Sequence, residues 1–274
     1  MERRSPDGAS RGAVLIAPAM ATKASFYAPL ATWLATQGFT AYTFDYQGHG
    51  RSARTPLREV QADFLTWARD AATVAAWVRE DAPGLSVTWL GHSLGGQLLG
   101  FAPRDALDRA IIVGSGTGYW RNAEGRDRIL APLLWYVVEP IATRLFGYFP
   151  GRRVKLLGDI PGPVIRQWAG WCRHPGYLLG ALPEHRKAFA GVRVPITSVS
   201  FTDDATMSAI ATAQLEEYYA GAPLTRLRYD PTDLGQARIG HMGFFYRDRE
   251  ALWEQVLPPL LAAPSETQRL SPAD

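Results

Sequence analysis

Apolar residues in this chain gather in short runs separated by longer stretches of helical spacing. Ala13–Ala17 (AVLIA) is a continuous apolar run, residues 40–44 (TAYTF) are β-branched and aromatic, and residues 85–90 and 109–113 are again short and apolar. Such runs, bounded by turn residues, predict buried strands. Between them Phe26, Leu30, Trp33 and Leu34 recur at helical spacing up to Gly38. Phe64, Trp67, Ala71, Val74, Ala75 and Val78 line one face of a helix predicted over residues 62–80. The alternation returns late, with strands over 194–201 and 224–229 and helices over 207–219 and 248–261. Strands alternating with helices in this way predict parallel crossover units: an α/β protein with a doubly wound, mostly parallel sheet.

The rhythm breaks over residues 115–192, which are rich in Trp, Tyr, Pro and Gly and show no strand pattern. Amphipathic helices are predicted there over 130–145 and 163–172. Strand-forming sequence continues on both sides, so the stretch reads as an insertion after one strand of the sheet. The expected organisation is a core of 12–114 and 193–262, a helical aromatic-rich cap of 115–192, and flexible termini of 1–11 and 264–274.

Composition narrows the possible partners. A chain of 274 residues, 47% hydrophobic and 20% charged, has the make-up of a globular protein large enough to bury a substantial core. The net charge of +3 comes from scattered arginines, with no basic stripe interleaved with aromatics, so no nucleic-acid partner is expected. One cysteine, Cys172, excludes an internal disulfide framework and a cysteine-based metal cluster, and no cofactor or metal is expected. The N-terminus MERRSPDGASRG has no signal-type apolar segment behind it, and the longest apolar stretches fall short of a membrane span. The expected location is the cytoplasm; the residues are silent on oligomeric state.

The chemistry centres on Gly91-His92-Ser93-Leu94-Gly95, a G-x-S-x-G pattern between a predicted strand and a predicted helix. Such a turn strains the backbone at the serine and exposes its hydroxyl. A serine hydroxyl needs a base, the base needs an orienting acid, and the developing oxyanion needs two N–H donors. Among five histidines, His241 in Ile239-Gly240-His241-Met242-Gly243 follows the last strand on a loop, and loops after parallel strands gather at one sheet edge. The acid is expected in Phe201-Thr202-Asp203-Asp204, where counting from Pro195 favours Asp204 over Asp203, the other aspartate capping the next helix. The expected oxyanion donors are the backbone N–H groups of Leu94, after the nucleophile, and Met20, in the loop after the first strand. His92 points the wrong way to serve as base; with Trp120, Trp168, Trp171 and Phe244 it makes up the expected lining of the substrate pocket.

The serine turn GHSLGGQ, the loop DYQGHGRS and the late GHMGFF together resemble the α/β-hydrolase superfamily. The D-x-x-G-x-G-x-S loop matches through Asp45, Gly48, Gly50 and Ser52. Further runs, APAM, GSGTGYW, WAGWCR and SFTDD, resemble a family of predicted bacterial α/β-hydrolases similar to the serine aminopeptidase and monoacylglycerol-lipase branch. The likeness covers roughly residues 13–262 and implies an acyl-enzyme mechanism without a cofactor, under a cap. Asp45 and His49 are expected to shape their loop. Members usually begin with two antiparallel strands, and too few residues precede Ala13 for both, so about six strands are expected, or a start further upstream.

The expected activity is hydrolysis of a carboxylic ester with an apolar or aromatic part, because the cap is so aromatic. Amide or peptide hydrolysis stands behind it, since the cap lacks a clear acidic pair to hold an amino end. Acyl transfer would use the same three residues. A non-catalytic ligand-binding protein of this fold is the alternative of another class, against which the Ser, Asp and His set argues.

Overall fold

The computed structural model of the protein describes residues 1–153 and 158–262. The expected flexible segment 264–274 lies outside the described residues, as do four positions of the expected cap. The chain opens with strands β1 (Glu2–Arg4) and β2 (Ala13–Ala17), helix α1 (Ala28–Thr36), strand β3 (Thr40–Thr43) and helix α2 (Phe64–Asp81). Strand β4 (Val87–His92), the short helix α3 (Leu94–Gln97) and strand β5 (Arg109–Val113) follow. Then come α4 (Gly125–Leu133), α5 (Glu139–Phe146), the two-residue strands β6 (Tyr148–Phe149) and β7 (Ile160–Pro161), α6 (Gly162–Cys172), α7 (Tyr177–Ala181) and α8 (Arg186–Ala190). Strand β8 (Ile196–Phe201), α9 (Ala209–Glu216), β9 (Leu224–Tyr229) and α10 (Glu250–Leu261) complete it.

The main sheet has seven strands in the order β1-β3-β2-β4-β5-β8-β9, all parallel except β1. Alternation along β2 sends its side chains to two different cores. Ala13, Leu15 and Ala17 join Trp67 and Val78 of α2, Trp89 of β4 and much of the 115–192 stretch. Val14 and Ile16 join Leu30 and Leu34 of α1 and Trp253 and Val256 of α10. All five residues of β2 are buried, as a strand covered on both faces must be. Asp63 caps α2 by accepting the Thr66 N–H, and Ser208 caps α9 by accepting the Ala211 N–H.

Three expectations change here. Residues 2–4, read as part of a loose arm, pair antiparallel with β3 from Glu2↔Thr43 to Arg4↔Ala41. The outer edge of β3 offers unpaired N–H and C=O groups, and three residues suffice to cover them. The sheet therefore keeps one short antiparallel strand and reaches seven. Second, the 115–192 stretch is not strand-free, because β6 and β7 form a minimal antiparallel pair.

The third concerns the helix expected over 130–145. α4, a π-helical turn (Leu134–Val138) and α5 form one continuous rod, Gly125–Phe146, of 22 residues. By length and composition it is apolar enough to cross a membrane, contrary to the sequence expectation of no such stretch. The rod runs past Pro140 because the wider π turn leaves room for a ring that would crowd the preceding turn. One side of it packs on the body through Ala131, Trp135 and Ala142.

Two glycines separate tight packing from open space. A Cβ on Gly95 would collide with the Ala17 carbonyl, whereas one on Gly170, within α6, would meet nothing within 4 Å. Gly170→Ala should therefore stabilise the protein by about 0.5–1 kcal/mol by lowering unfolded-chain entropy. Gly95→Ala should destabilise it by roughly 1–3 kcal/mol through overpacking. Urea unfolding of both variants checks the opposite signs.

Candidate active site

β4 runs buried into the turn, and Ser93 sits at its end with φ +52° and ψ −109°, a conformation that costs a non-glycine residue. The turn is held from several sides. The Ser93 N–H donates to the Val113 carbonyl at 3.0 Å, the Gly96 N–H donates to the Ser93 carbonyl at 3.0 Å, and the Trp89 indole donates to the Gly95 carbonyl at 3.0 Å. Glycine is required at 91, 95 and 96, because a Cβ would strike the α3 backbone, the Ala17 carbonyl and the Ser115 side chain respectively. These contacts bring α3 down onto β2 and β5, and Ser93 is left at 6% exposure.

His241 arrives on the loop after β9. Its Nε2 lies 3.0 Å from Ser93 Oγ and its Nδ1 lies 2.9 Å from Asp204 Oδ2. An ionised carboxylate only accepts, so Nδ1–H donates to Asp204 and the Nε2 lone pair faces the serine hydroxyl. Burial pulls the Asp204 carboxyl upward. The His241 hydrogen bond and charge, with the Met207 and Thr206 N–H groups on Oδ1, outweigh it and hold the carboxyl below its ordinary value. Asp203 does different work. Its carboxylate accepts the N–H groups of Ile239 and Gly240 at 2.9 Å each, and so pins the loop that carries His241. The expected helix cap is not an aspartate, since Ser208 caps α9.

His92 does not line a pocket. As the last residue of β4 its side chain falls on the α1 and α10 side, stacked on Phe245 at 4.2 Å between ring centres and fully buried. Its Nε2 lies 3.0 Å from the His241 carbonyl and its Nδ1 lies 2.8 Å from the Tyr27 hydroxyl. A carbonyl only accepts, so Nε2 carries the proton and Nδ1 accepts from Tyr27. The Tyr27 oxygen in turn accepts the Ala19 N–H at 2.9 Å. One neutral imidazole thus ties the loop after β2 to the backbone of His241. Burial, and then the nearby His241, lower its pKa from 6.5 to about 3.

The loop after β2 lies beside the serine turn because β2 and β4 pair in register, Ala17 opposite Gly91. Tyr46 donates to the Pro18 carbonyl at 3.0 Å and Ala21 holds φ +55°. The N–H groups of Met20 and Leu94 find no acceptor among the described residues. One N–H in the loop after β2 and one at the start of α3, both free among the described residues, are what an oxyanion needs.

The aromatic residues expected around the substrate divide. Phe244 is fully buried and stacks on Phe201 at 5.9 Å, in the core under α10. Trp171 meets Phe64 of α2 edge-on at 4.3 Å and serves packing between α6 and the body. Both are corrections: apolar content identifies burial, and the alternation that decides the direction is not visible in so irregular a stretch. Trp120 and Trp168 are half-buried. Trp168 Nε1–H donates to the Tyr177 hydroxyl at 2.7 Å, Tyr177 donates to Gln97 Oε1 at 2.9 Å, and Gln97 Nε2–H donates to the Gly116 carbonyl at 2.8 Å. Gln97 and Tyr177, missed in the sequence, join α6 to the serine turn. A polar residue among the apolar positions that follow the turn was the available signal for Gln97. Asp45 holds its own loop by accepting the N–H groups of Ala24 and Arg51, as expected.

Comparison with known proteins gives the family. Residues 8–150, just over half of the chain, match the serine aminopeptidase S33 family. A monoacylglycerol lipase of Mycolicibacterium smegmatis is 34% identical over 96 residues, 34% of this chain and 33% of that protein. A human monoglyceride lipase is 30% identical over 93 residues, 34% of this chain and 30% of that protein. The match thus spans about a third of the length of either curated relative. The crystal structure of a Paleococcus ferrophilus monoacylglycerol lipase superposes with a TM-score of 0.61 at 14% identity, covering 95% of this chain and 97% of that one. At that identity the likeness speaks for the fold. The chain belongs to the serine aminopeptidase S33 family.

Buried neutral His92 makes stability depend on pH. Its folded pKa is depressed, so the unfolded ring takes a proton near pH 6.5 while the folded ring waits until about 3. Stability is full above 6.5 and falls as pH drops through that window, by about 3 kcal/mol between pH 7 and pH 4. His92→Gln keeps one donor and one acceptor but does not titrate. Urea unfolding from pH 7 to pH 4 should show the variant losing less stability than the wild type by that amount. Parallel curves would show that His92 is not held neutral.

Proposed function

We propose that this family member is a serine hydrolase that cleaves a carboxylic ester through an acyl-enzyme intermediate. Ser93 is the nucleophile, His241 the general base and acid, Asp204 the orienting acid, and the Leu94 and Met20 N–H groups hold the oxyanion. The observation that carries this reading is the unbroken line Asp204 Oδ2···Nδ1 His241 Nε2···Oγ Ser93, at 2.9 and 3.0 Å. The order Ser, Asp, His along the chain is that of α/β-hydrolases.

In the first half-reaction the Ser93 proton passes to His241 Nε2 as Oγ attacks the carbonyl carbon. Asp204 stabilises the resulting imidazolium, and the two free N–H groups meet the negative charge on the former carbonyl oxygen. Collapse breaks the ester C–O bond, and the imidazolium proton leaves with the alcohol. Water then repeats the sequence on the acyl-enzyme and regenerates Ser93.

The relatives named as lipases support an ester over an amide. The half-buried indoles Trp120 and Trp168, in the stretch we assign as a cap, suit an apolar or aromatic substrate. Acyl transfer to an alcohol is a second reading, favoured by the 6% exposure of Ser93, which limits access of water. The one cysteine, buried and unpaired, is compatible with a reducing cytoplasm.

A serine-directed fluorophosphonate should label Ser93, and a chain-length series of p-nitrophenyl esters should be hydrolysed with Ser93→Ala inactive. Asp204→Asn should lower kcat by roughly 10⁴-fold through the wrong imidazole tautomer. Asp203→Asn should act mainly on stability. Absence of labelling in folded protein with Ser93 intact would overturn the reading. Adding a competing alcohol to the ester assay separates transfer from hydrolysis by product.

A further inference from the structure

The rod Gly125–Phe146 presents a face that nothing in the structure covers. Ile129, Leu133, Val137, Ile141 and Leu145 follow one another every four residues, and all are exposed, Ile129 at 77% and Leu145 at 73%. In a regular α-helix a four-residue step overshoots the turn of 3.6 and such a row winds around the axis. The π turn at Leu134–Val138 has a longer repeat, falls short of one turn per four residues and offsets the drift. The row is thereby kept closer to a straight apolar stripe. Stripes of this size are uncommon on water-facing surfaces and mark interaction sites.

The surroundings of the stripe identify its partner. Arg126, Arg128, Arg144 and Arg153 are exposed around it, and none pairs with a carboxylate among the described residues. Glu124 and Asp127 are the exposed acids at the start of the rod, and Asp127 accepts the Thr206 hydroxyl at 2.8 Å. Arg153 lies over the Phe146 ring at 5.5 Å and Arg173 over the Tyr136 ring at 5.7 Å, with both rings exposed. An apolar stripe flanked by arginines and exposed aromatics has the make-up of a helix lying in a lipid–water boundary.

A second copy of the chain suits the stripe poorly. In a two-fold pair the same patch meets itself, and either direction of the rods would set arginines against arginines. A spanning orientation suits it no better. The opposite side of the rod is packed on the body and carries Glu139, which is buried and bonded to Thr143.

We propose that the rod Gly125–Phe146 is a surface on which the protein docks, in plane, onto an anionic lipid interface. The proposal concerns binding and is independent of the catalytic reading. The full-length protein should cosediment with vesicles of equal parts phosphatidylcholine and phosphatidylglycerol. It should bind phosphatidylcholine alone at least about tenfold more weakly, with the difference lost in high salt. Leu133→Ser with Ile141→Ser should lower partition to the anionic vesicles about tenfold or more, with the far-ultraviolet dichroism melt unchanged. Ile129→Ser with Leu145→Ser, at the two ends, gives an independent second pair. Arg144→Gln with Arg153→Gln should weaken binding to anionic vesicles and leave that to phosphatidylcholine unchanged.

No cosedimentation with either vesicle would overturn the proposal. So would a wild-type dimer in size-exclusion chromatography that the serine variants convert to monomer, since the face would then belong to a second copy.

Discussion

The site depends on the contact between the end of β2 and the start of α3. The Ala17 carbonyl reaches so near to Gly95 that no side chain fits there. This approach draws the helix across the end of the sheet and forces Ser93 into positive φ. The strain is sustained because the turn is bonded to β5 through Val113, to its own strand through Trp89, and to α9's neighbourhood through Tyr219, which donates to the Gly96 carbonyl. Residues held this firmly in an unfavourable conformation belong to functional sites more often than to the rest of a fold.

Two hydrogen-bond chains continue from the turn in opposite directions. On the α1 side, Ala19, Tyr27, His92 and the His241 backbone form a line whose donor directions are all determined. On the other side, Gly116, Gln97, Tyr177 and Trp168 form a second line that reaches α6. The first ties together the loop after β2 and the loop after β9, which come from distant parts of the chain. The second ties the 115–192 stretch to the body, and Tyr177 holds φ +44° at its centre. Buried polar groups that are all satisfied rigidify their surroundings. Here they flank the serine on both sides.

Strands β2, β4 and β5 were legible because each is a short, largely apolar and buried run, and such a run leaves the same trace in sequence whatever packs on it. The 115–192 stretch was less legible. Its aromatics serve the body, as Trp171 does against Phe64, the polar line, as Trp168 does, or the surface, as Tyr136 does. All three look alike as composition. Phe244 and His92 show the same limit at the site: His92 is next to Ser93 and Phe244 follows three residues after His241, yet both sit on the α1 and α10 side of the sheet.

What the sequence determined by itself is local: the alternation of strands and helices, and the glycines without which the turn at Ser93 would not close. What the tertiary structure decided is every relation between distant segments. Asp203 and Asp204 are equivalent as a dipeptide. The path of the loop after β9 gives His241 to one and the Ile239 and Gly240 N–H groups to the other. The apolar face of Gly125–Phe146 is equally ambiguous in sequence, where it reads as a helix with a core to cover. Only the packing of Ala131, Trp135 and Ala142 on the body shows which side is spent there and which is left to face outward. Helical periodicity specifies that a face is apolar; it carries no information about what the face meets, because that depends on where the rest of the chain has already filled the space.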